Sequence, residues 1–290
     1  MMNNLTDERI IELETVANEI RKSIIEMLVE AGSGHTAGPL GMADIFTALY
    51  FHILKHDPDN PDWGDRDRLV LSNGHICPVL YATMAHAGYF PKKELLTLRK
   101  FGTRLQGHPH REYLPSLETS SGPLGAGLSQ AVGMALADRI DSGRSSDKQF
   151  YCLTGDGELN EGQNWEAIML AGKENIQNLT LIVDRNNIQI DGYTEDVMPL
   201  DSLMKKFDSF NWHVQEIDGH NFDSIVEAVG KAHAVFENPS VIIARTIPGK
   251  GVKDFERKPE WHGKPPTPKE ATTALNELRT LGGKIKSEND

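Results

Sequence analysis

Apolar residues recur along this chain at two periods, and the switches between them lay out its elements. Leu13, Val16, Ala17, Ile20, Ile24, Met27 and Leu28 fall at three- and four-residue steps, predicting a helix over 8–30 capped by Thr6 or Asp7. It stops at Ala31-Gly32-Ser33-Gly34. The segment 35–41 reads as a flexible polar turn, followed by a helix with Met42, Ile45, Phe46, Leu49, Tyr50 and Ile53 on one side. Short, largely apolar runs at 68–72, 151–153 and 179–184, bounded by turn residues, predict buried strands, and 212–217 and 240–244 look like further strands. Between them, helical spacing returns around 79–87, from Leu128 through Leu136, over 160–173 and over 222–236, whereas the Pro-, Asp- and Asn-rich 56–67 is a surface loop. Such alternation predicts an α/β fold: a doubly wound, mainly parallel sheet with helices on both faces. After Thr246 come the flexible Gly249-Lys250-Gly251, a proline-rich stretch, a short helix over 269–281 and a frayed tail. The expected division is one domain over 1–264 and a linker, helix and tail over 265–290.

Candidate chemistry gathers where two of these strands end. Tyr151-Cys152-Leu153-Thr154-Gly155-Asp156-Gly157-Glu158 runs out of a strand into a glycine-flanked aspartate, and 179–184 runs into Asp184-Arg185-Asn186-Asn187-Ile188. Open α/β sheets bind ligands at the carboxyl ends of their strands. Glycines let a backbone approach an anion closely, and the N-terminus of the 160–173 helix, with Trp165, Ile168 and Met169 on its apolar side, offers free N–H groups. An aspartate beside an anion would repel it, and a divalent cation between them removes the conflict. Asp156, the Asn186 amide and the Ile188 backbone carbonyl can supply the protein's share of a six-oxygen magnesium shell. The glycine-dense Ser120-Ser121-Gly122-Pro123-Leu124-Gly125-Ala126-Gly127 opens a further helix whose first turn must lie close to something, a phosphate or a flat ring.

Charge and composition narrow the classes. At 290 residues and a net charge of −12, with no basic run, the chain is a poor match for nucleic acid or an anionic membrane. The first residues lack the basic-then-apolar order of a signal peptide, and no apolar run reaches the ~20 residues a bilayer needs, so the expected location is the cytoplasm. Cys77 and Cys152 lack metal-ligand spacing and read as small buried hydrophobes. No Gly-x-Gly-x-x-Gly turn follows an early strand, which argues against a nicotinamide dehydrogenase.

Four histidines, His35, His75, His108 and His262, sit beside glycine in non-helical stretches. Histidine titrates near neutrality and can either shuttle protons on sugar hydroxyls or bind phosphate as imidazolium. His52, His56, His86, His110, His213, His220 and His233 lack that setting and read as ordinary polar residues.

Taken together, these pieces resemble one family. Gly155-Asp156-Gly157, with an asparagine pair about thirty positions on, is similar to the fingerprint of thiamine diphosphate enzymes. Ser33-Gly34-His35 with Pro39-Leu40-Gly41-Met42, Leu71-Ser72-Asn73-Gly74-His75, Gly107-His108-Pro109, Ser121-Gly122-Pro123-Leu124-Gly125, Glu161-Gly162 and His262-Gly263 resemble successive transketolase motifs in the same order, from about Thr6 to Lys264. Thr36-Ala37 departs from the family's usual Pro-Gly, which bears on the loop's shape and not on the histidine.

The resemblance implies thiamine diphosphate and Mg2+, or Ca2+ or Mn2+ in its place, with the metal held by Asp156, Asn186 and the Ile188 carbonyl. Gly122 and Leu124 would lie against the cofactor, Gly155, Gly157 and Glu158 would belong to its loop, and His75 and His262 would contact its diphosphate. His35, His108 and His262 would face substrate hydroxyls. Glu161 and Glu166 would belong to a carboxylate relay towards a paired site, their alternative being ordinary positions at a helix N-terminus. The family continues into a pyrimidine-binding domain where this chain stops. The resemblance therefore implies the N-terminal subunit of a split transketolase, moving a two-carbon ketol unit between sugar phosphates. Its partner would be a C-terminal transketolase subunit, in a heterotetramer with a homodimer core. The alternatives are the front half of a 1-deoxyxylulose-phosphate synthase or of a 2-oxo-acid dehydrogenase (its α subunit), or a non-catalytic homologue that binds only cofactor or partner. The sequence does not identify the sugar, with modified or sulfonated sugars included among the acceptors.

Overall fold

A computed structural model describes residues 5–280 apart from 115, 144 and 145. The chain order is α1 (Asp7–Ala31), α2 (Ala37–Gly41), α3 (Ala43–Ala48), β1 (Arg68–Leu71), α4 (Cys77–His86), α5 (Ala126–Ser142), β2 (Phe150–Gly155), α6 (Gly162–Lys173) and β3 (Leu179–Arg185). It continues through β4 (Ile188–Gln189), β5 (Gly192–Tyr193), α7 (Thr194–Val197), α8 (Leu203–Ser209), β6 (His213–Asp218), α9 (Phe222–Ala234), β7 (Ser240–Arg245) and α10 (Pro268–Thr280). Five strands pair in parallel in the order β1-β2-β3-β7-β6, with helices on both faces, so the doubly wound sheet is as expected. The predicted helix over 269–281 is α10 as far as Thr280, and the tail over 282–290 lies outside the described residues.

Burial on both faces explains why the inner strands β2, β3 and β7 are largely apolar rather than alternating, whereas the edge strand β6 is only partly buried and carries polar residues. All seven residues of the central strand β3 are buried. Their side chains still alternate by face. Cys152, Leu181, Val183, Val241 and Ile243 pack with α5, α6 and α8 residues such as Leu128, Ile168 and Phe207. Tyr151, Leu153, Ile182, Ile242 and Ala244 point to the other side, against residues of α1, α3, α4 and α9. α10 closes over α1 on that side, where Ala274 and Leu278 are buried and Asn18 Nδ2 donates to the Leu278 carbonyl at 3.1 Å. Register aligns the strand ends: Gly155 lies beside Asp184, and Asp184 beside Ala244. Both cysteines are free and buried.

The structure corrects two local expectations. Segment 35–41 is not a flexible polar turn, because Ala37–Gly41 forms a short helix with every residue buried. Its proline sits in the first turn, where no N–H is needed. Gly38 packs so closely on Ile76 that an added Cβ would lie 2.8 Å from its Cγ2, which makes this a site of close helix contact rather than of freedom. The apolar side from Met42 to Ile53 is likewise not one helix: α3 ends at Ala48 and a π turn over Leu49–Ile53 finishes the segment. A buried network anchors this region to the sheet, with Arg21 bridging to Asp44 at 2.6 and 2.9 Å and His220 Nδ1 meeting Asp44 Oδ2 at 2.7 Å. The far ring nitrogen of His220 accepts from the Ile247 N–H at 2.7 Å, so this histidine is a structural link.

Candidate active site

The carboxyl ends of β2 and β3 supply one wall of a cavity of about 290 Å³, and loops from four other places supply the rest. At the end of β2, Asp156 is almost fully buried and caps the 3-10 turn Gly157–Asn160. Its Oδ1 accepts from the Gly157 N–H at 2.7 Å and from Thr194 Oγ1 at 3.2 Å. Its Oδ2 accepts from the Asn187 N–H at 2.7 Å and from Arg185 Nη1 at 2.9 Å. Burial pushes the Asp156 carboxyl up, with Arg185 and the backbone N–H groups pulling the other way.

At the end of β3, Asn186 Nδ2 donates to Asp184 at 2.8 Å, while its Oδ1 accepts from the Ile188 N–H at 3.0 Å, which fixes the amide's orientation. Asp184 is pushed up to about 7, first by burial and further by the nearby Asp156, despite hydrogen bonds from Thr246 and Asn186. Ile188 begins the small β4–β5 hairpin that folds the chain back over this wall.

Glu158 ties the wall together. Its buried carboxylate accepts from Ser72 Oγ, from the Gly125 N–H at 2.7 Å and from the Gly155 N–H at 3.1 Å. It thereby joins β1, the glycine loop before α5 and the end of β2, so this side chain lines the cavity while holding its loops in place.

Opposite stand the histidines. His35 follows α1, His75 lies in the 3-10 turn after β1, and His262 follows the 3-10 turn Pro259–Trp261. Their rings meet in a triangle with centroid separations of 4.8, 5.2 and 5.4 Å. His108 joins them in lining the cavity and is the exposed one of the four. Burial lowers all four, moving His35 to about 4 and His75 well below its usual range, and the neighbouring imidazoles depress both further. At neutral pH the cluster is uncharged. Each neutral imidazole then offers one donor and one acceptor. The buried Nδ1 atoms of His35 and His262, and the buried Oδ1 of Asn73, have no hydrogen-bond partner within the protein. Buried polar atoms are rarely left so, and three around one hollow mark a polar ligand's place.

Gly122, Leu124, Gly155 and Gly157 line the same space. Side chains would cost room there: a Cβ on Gly155 would meet nothing closer than Asn73 at 3.8 Å, so that face is open to a ligand. Glu161 and Glu166 are exposed at the start of α6 and are not among the lining residues, although Glu161 is close enough to push Glu158 up slightly. A larger groove of about 800 Å³ lies at the opposite end of the sheet, around His213 and Trp212 at the start of β6.

A family model described as the transketolase thiamine diphosphate-binding domain matches residues 13–281. The chain belongs to the transketolase family. It is 44% identical over 275 residues to a 6-deoxy-6-sulfo-D-fructose transketolase subunit of Clostridium sp. (strain MSTE9), covering 95% of this chain and 99% of that one. It is 37% identical to an apulose-4-phosphate transketolase subunit of Phocaeicola vulgatus, covering 96% and 98%. Among solved structures it superposes on transketolase from Leishmania mexicana with a TM-score of 0.88 at 32% identity, covering 92% of this chain but 41% of that one. The chain is thus a transketolase N-terminal, cofactor-binding unit, similar in length to subunits of split transketolases.

Residues outside the candidate set named from the sequence complete the cavity. Asn73, Asp184, Gln189 and Ile190 line the cavity, and Ser72, Thr194 and Arg185 support it. Asn73 and Ser72 stand inside Leu71-Ser72-Asn73-Gly74-His75 and Asp184 stands at a strand end, so position alone points to them. Arg185 carried no local signal, because its partners are up to 29 residues away.

Proposed function

We propose that this chain forms, with a C-terminal transketolase subunit, a thiamine diphosphate- and magnesium-dependent site that transfers a two-carbon ketol unit between sugars. The observation that carries this reading is the single cavity in which a buried carboxylate and an oriented amide face three histidines and an asparagine with unpaired or uncharged polar atoms. Asp156, Asn186 and the Ile188 carbonyl would hold the cation. Among the described residues no three His, Cys, Asp or Glu side chains converge as a cation cage, so such an ion would take amide, carbonyl and ligand oxygens, the hard donor set that suits magnesium. Bound thiamine diphosphate supplies the thiazolium carbon that carries the transferred fragment.

The remaining roles are those the family resemblance implies, and the gathering of these residues around one cavity supports them. Gly155 and Gly122 leave room against the cofactor, beside Leu124 and Gly157, and Glu158 keeps those loops in register. His75 and His262 would contact the diphosphate. His35, His108 and His262, neutral as they stand, would accept and return protons on sugar hydroxyls. The names of the two subunit relatives concern different sugars, one sulfonated and one phosphorylated, at 44% and 37% identity. The substrate class we assign is therefore a sugar carrying a terminal phosphate or sulfonate.

Assembly belongs to the same reading. Leu124 beside α5, Ile140 on α5, and Met169 and Leu170 on α6 are exposed, supporting self-association through those helices, where Glu161 and Glu166 would meet a second copy. Ile190, Tyr193, Val197 and Met198 are also exposed and border the cavity's hairpin, and the C-terminal subunit would cover them. No described helix is long and apolar enough to cross a membrane, and we place the assembly in the cytoplasm. The test is ketol transfer from a ketose phosphate to an aldose phosphate with magnesium and thiamine diphosphate. The purified chain alone is expected to be inactive, and activity is expected on adding the partner. Robust turnover by the chain alone would refute the split-site reading.

A further inference from the structure

Arg185 is a buried cation placed against the proposed metal ligand, and no part of the cavity's chemistry uses it. Its side chain is 1% exposed, with Nη1 on Asp156 and Nη2 shared between Glu195 and, at 3.4 Å, Asp201. We propose that Arg185 is a positioning residue: it fixes one oxygen of Asp156 and couples that carboxylate to the segment 194–201. This rests on the reading of Asp156 as a cation ligand.

Lone pairs on Asp156 set the limit. A carboxylate has about four acceptor positions, and Asp156 fills them with four donors, two on each oxygen. A cation can bind only if one donor yields. Gly157 and Asn187 donate from the backbone, and Arg185 is held on its far side by Glu195, itself accepting from the Leu200 N–H at 3.1 Å. Thr194 makes the longest of the four contacts, at 3.2 Å, and a hydroxyl can turn its hydrogen elsewhere. Oδ1 is thus the oxygen that opens to a cation, while Oδ2 stays with Arg185 and the Asn187 N–H. The donor that yields and the carboxylate that grips the arginine are neighbours in sequence, Thr194 and Glu195. A change at Asp156 is therefore passed to this segment through two adjacent residues.

Two effects of the guanidinium oppose each other. Its charge repels a cation, whereas its fork holds the ligand's geometry. Three carboxylates, Asp156, Glu195 and Asp201, share that one charge, which leaves the surroundings anionic and makes geometry the stronger effect. The expected loss on removing such a supporting partner is about 10- to 100-fold in metal-dependent affinity.

The experiment is calorimetry of magnesium and thiamine diphosphate on the full chain with its C-terminal partner present, for wild type, Arg185→Met, Arg185→Lys and Glu195→Gln. Arg185→Met should weaken magnesium-dependent binding at least tenfold, and Arg185→Lys nearly as much, since a lysine keeps the charge but cannot span Asp156 and Glu195 at once. Glu195→Gln, which leaves Asp156 untouched, should lose only a few-fold and guards against a misfolded Arg185→Met. Hydrogen exchange gives a second readout: magnesium plus cofactor should change protection over 194–201 in wild type and not in Arg185→Lys. Unchanged or tighter binding by Arg185→Met, or wild-type affinity in Arg185→Lys, overturns the inference. Absence of magnesium-dependent binding in wild type would instead overturn the cation reading beneath it.

Discussion

The two walls of the cavity are built on opposite terms. On the carboxylate wall, Asp156, Asp184 and Glu158 lie at strand ends or in the turn after one, and each is met by donors from the protein itself. On the histidine wall, the side chains come from loops after α1, after β1 and before α10, and two of the three packed rings leave a buried nitrogen unpaired. Charges cannot be buried unpaired, so the fold must finish the first wall before any ligand arrives. Neutral imidazoles cost less to leave waiting. One wall is thus completed by folding, and the other by what binds.

If that contrast holds, removing a group from each wall should fail in different ways. Asp156→Ala is expected to have the largest effect, abolishing magnesium-dependent thiamine diphosphate binding in calorimetry while far-ultraviolet circular dichroism still reports a folded chain. Tight binding by that variant would take the metal off Asp156. His108→Ala, on the exposed side of the histidine wall, should keep cofactor affinity and lower turnover of the assembled enzyme by about 10²-fold, the usual loss of a positioned proton-transfer group. Unchanged turnover would make His108 an ordinary loop residue.

How much of this was legible in the sequence follows the same division. Strand runs such as 179–184 were readable because a parallel strand buried on both faces has to be apolar throughout. The glycine-flanked Asp156 and the glycine-adjacent histidines were readable because their neighbours are local. What stayed hidden was pairing over distance. Glu158 appears in the chain as one more acidic residue after a turn, yet its partners Ser72 and Gly125 are 86 and 33 positions away. Arg185 was hidden for the same reason. Segment 35–41 misled because glycine and proline signal a turn when flexibility is their use, but here the glycines are contact surfaces for Ile76 and for the Ile247 carbonyl.

Glycines sharpen the contrast at a smaller scale. An alanine at Gly127 would place its Cβ 2.5 Å from the Cβ and Oγ of Ser72 and 2.7 Å from its Cα, inside the carboxylate wall. Something must shift there, because Ser72 Oγ also accepts from the Gly127 N–H at 3.1 Å and donates to Glu158. Gly127→Ala should therefore cost about 1–3 kcal/mol in urea unfolding without cofactor, the usual range for overpacking. Gly155→Ala, whose Cβ would approach Asn73 no closer than 3.8 Å, should leave that stability nearly unchanged and weaken cofactor binding instead. Equal stability losses for the two would erase the distinction between a glycine that packs and one that makes room.

The smallest effect expected is a change in slope, and its sign separates the walls. His35 titrates in the folded chain at about 4, against an ordinary value of 6.5, chiefly because it is buried and secondarily because His262, Arg99 and His108 are near. As pH falls below 6.5 the unfolded chain takes up a proton that the folded chain refuses, so folding stability declines from there down to about 4 and then levels off. His75 and His262 are shifted the same way and add to that decline. On the other wall the sign reverses: Asp184 titrates at about 7 when folded, against 3.8, and contributes a decline as pH rises between those values. His35→Asn removes one titrating group from the histidine wall alone. Urea midpoints measured without cofactor from pH 7 to pH 4 should then fall less steeply for His35→Asn than for wild type, with the two curves converging in slope towards pH 7. Parallel curves across the whole range would mean that His35 titrates as it would in water, and that the histidine wall is open to solvent rather than held dry for a ligand.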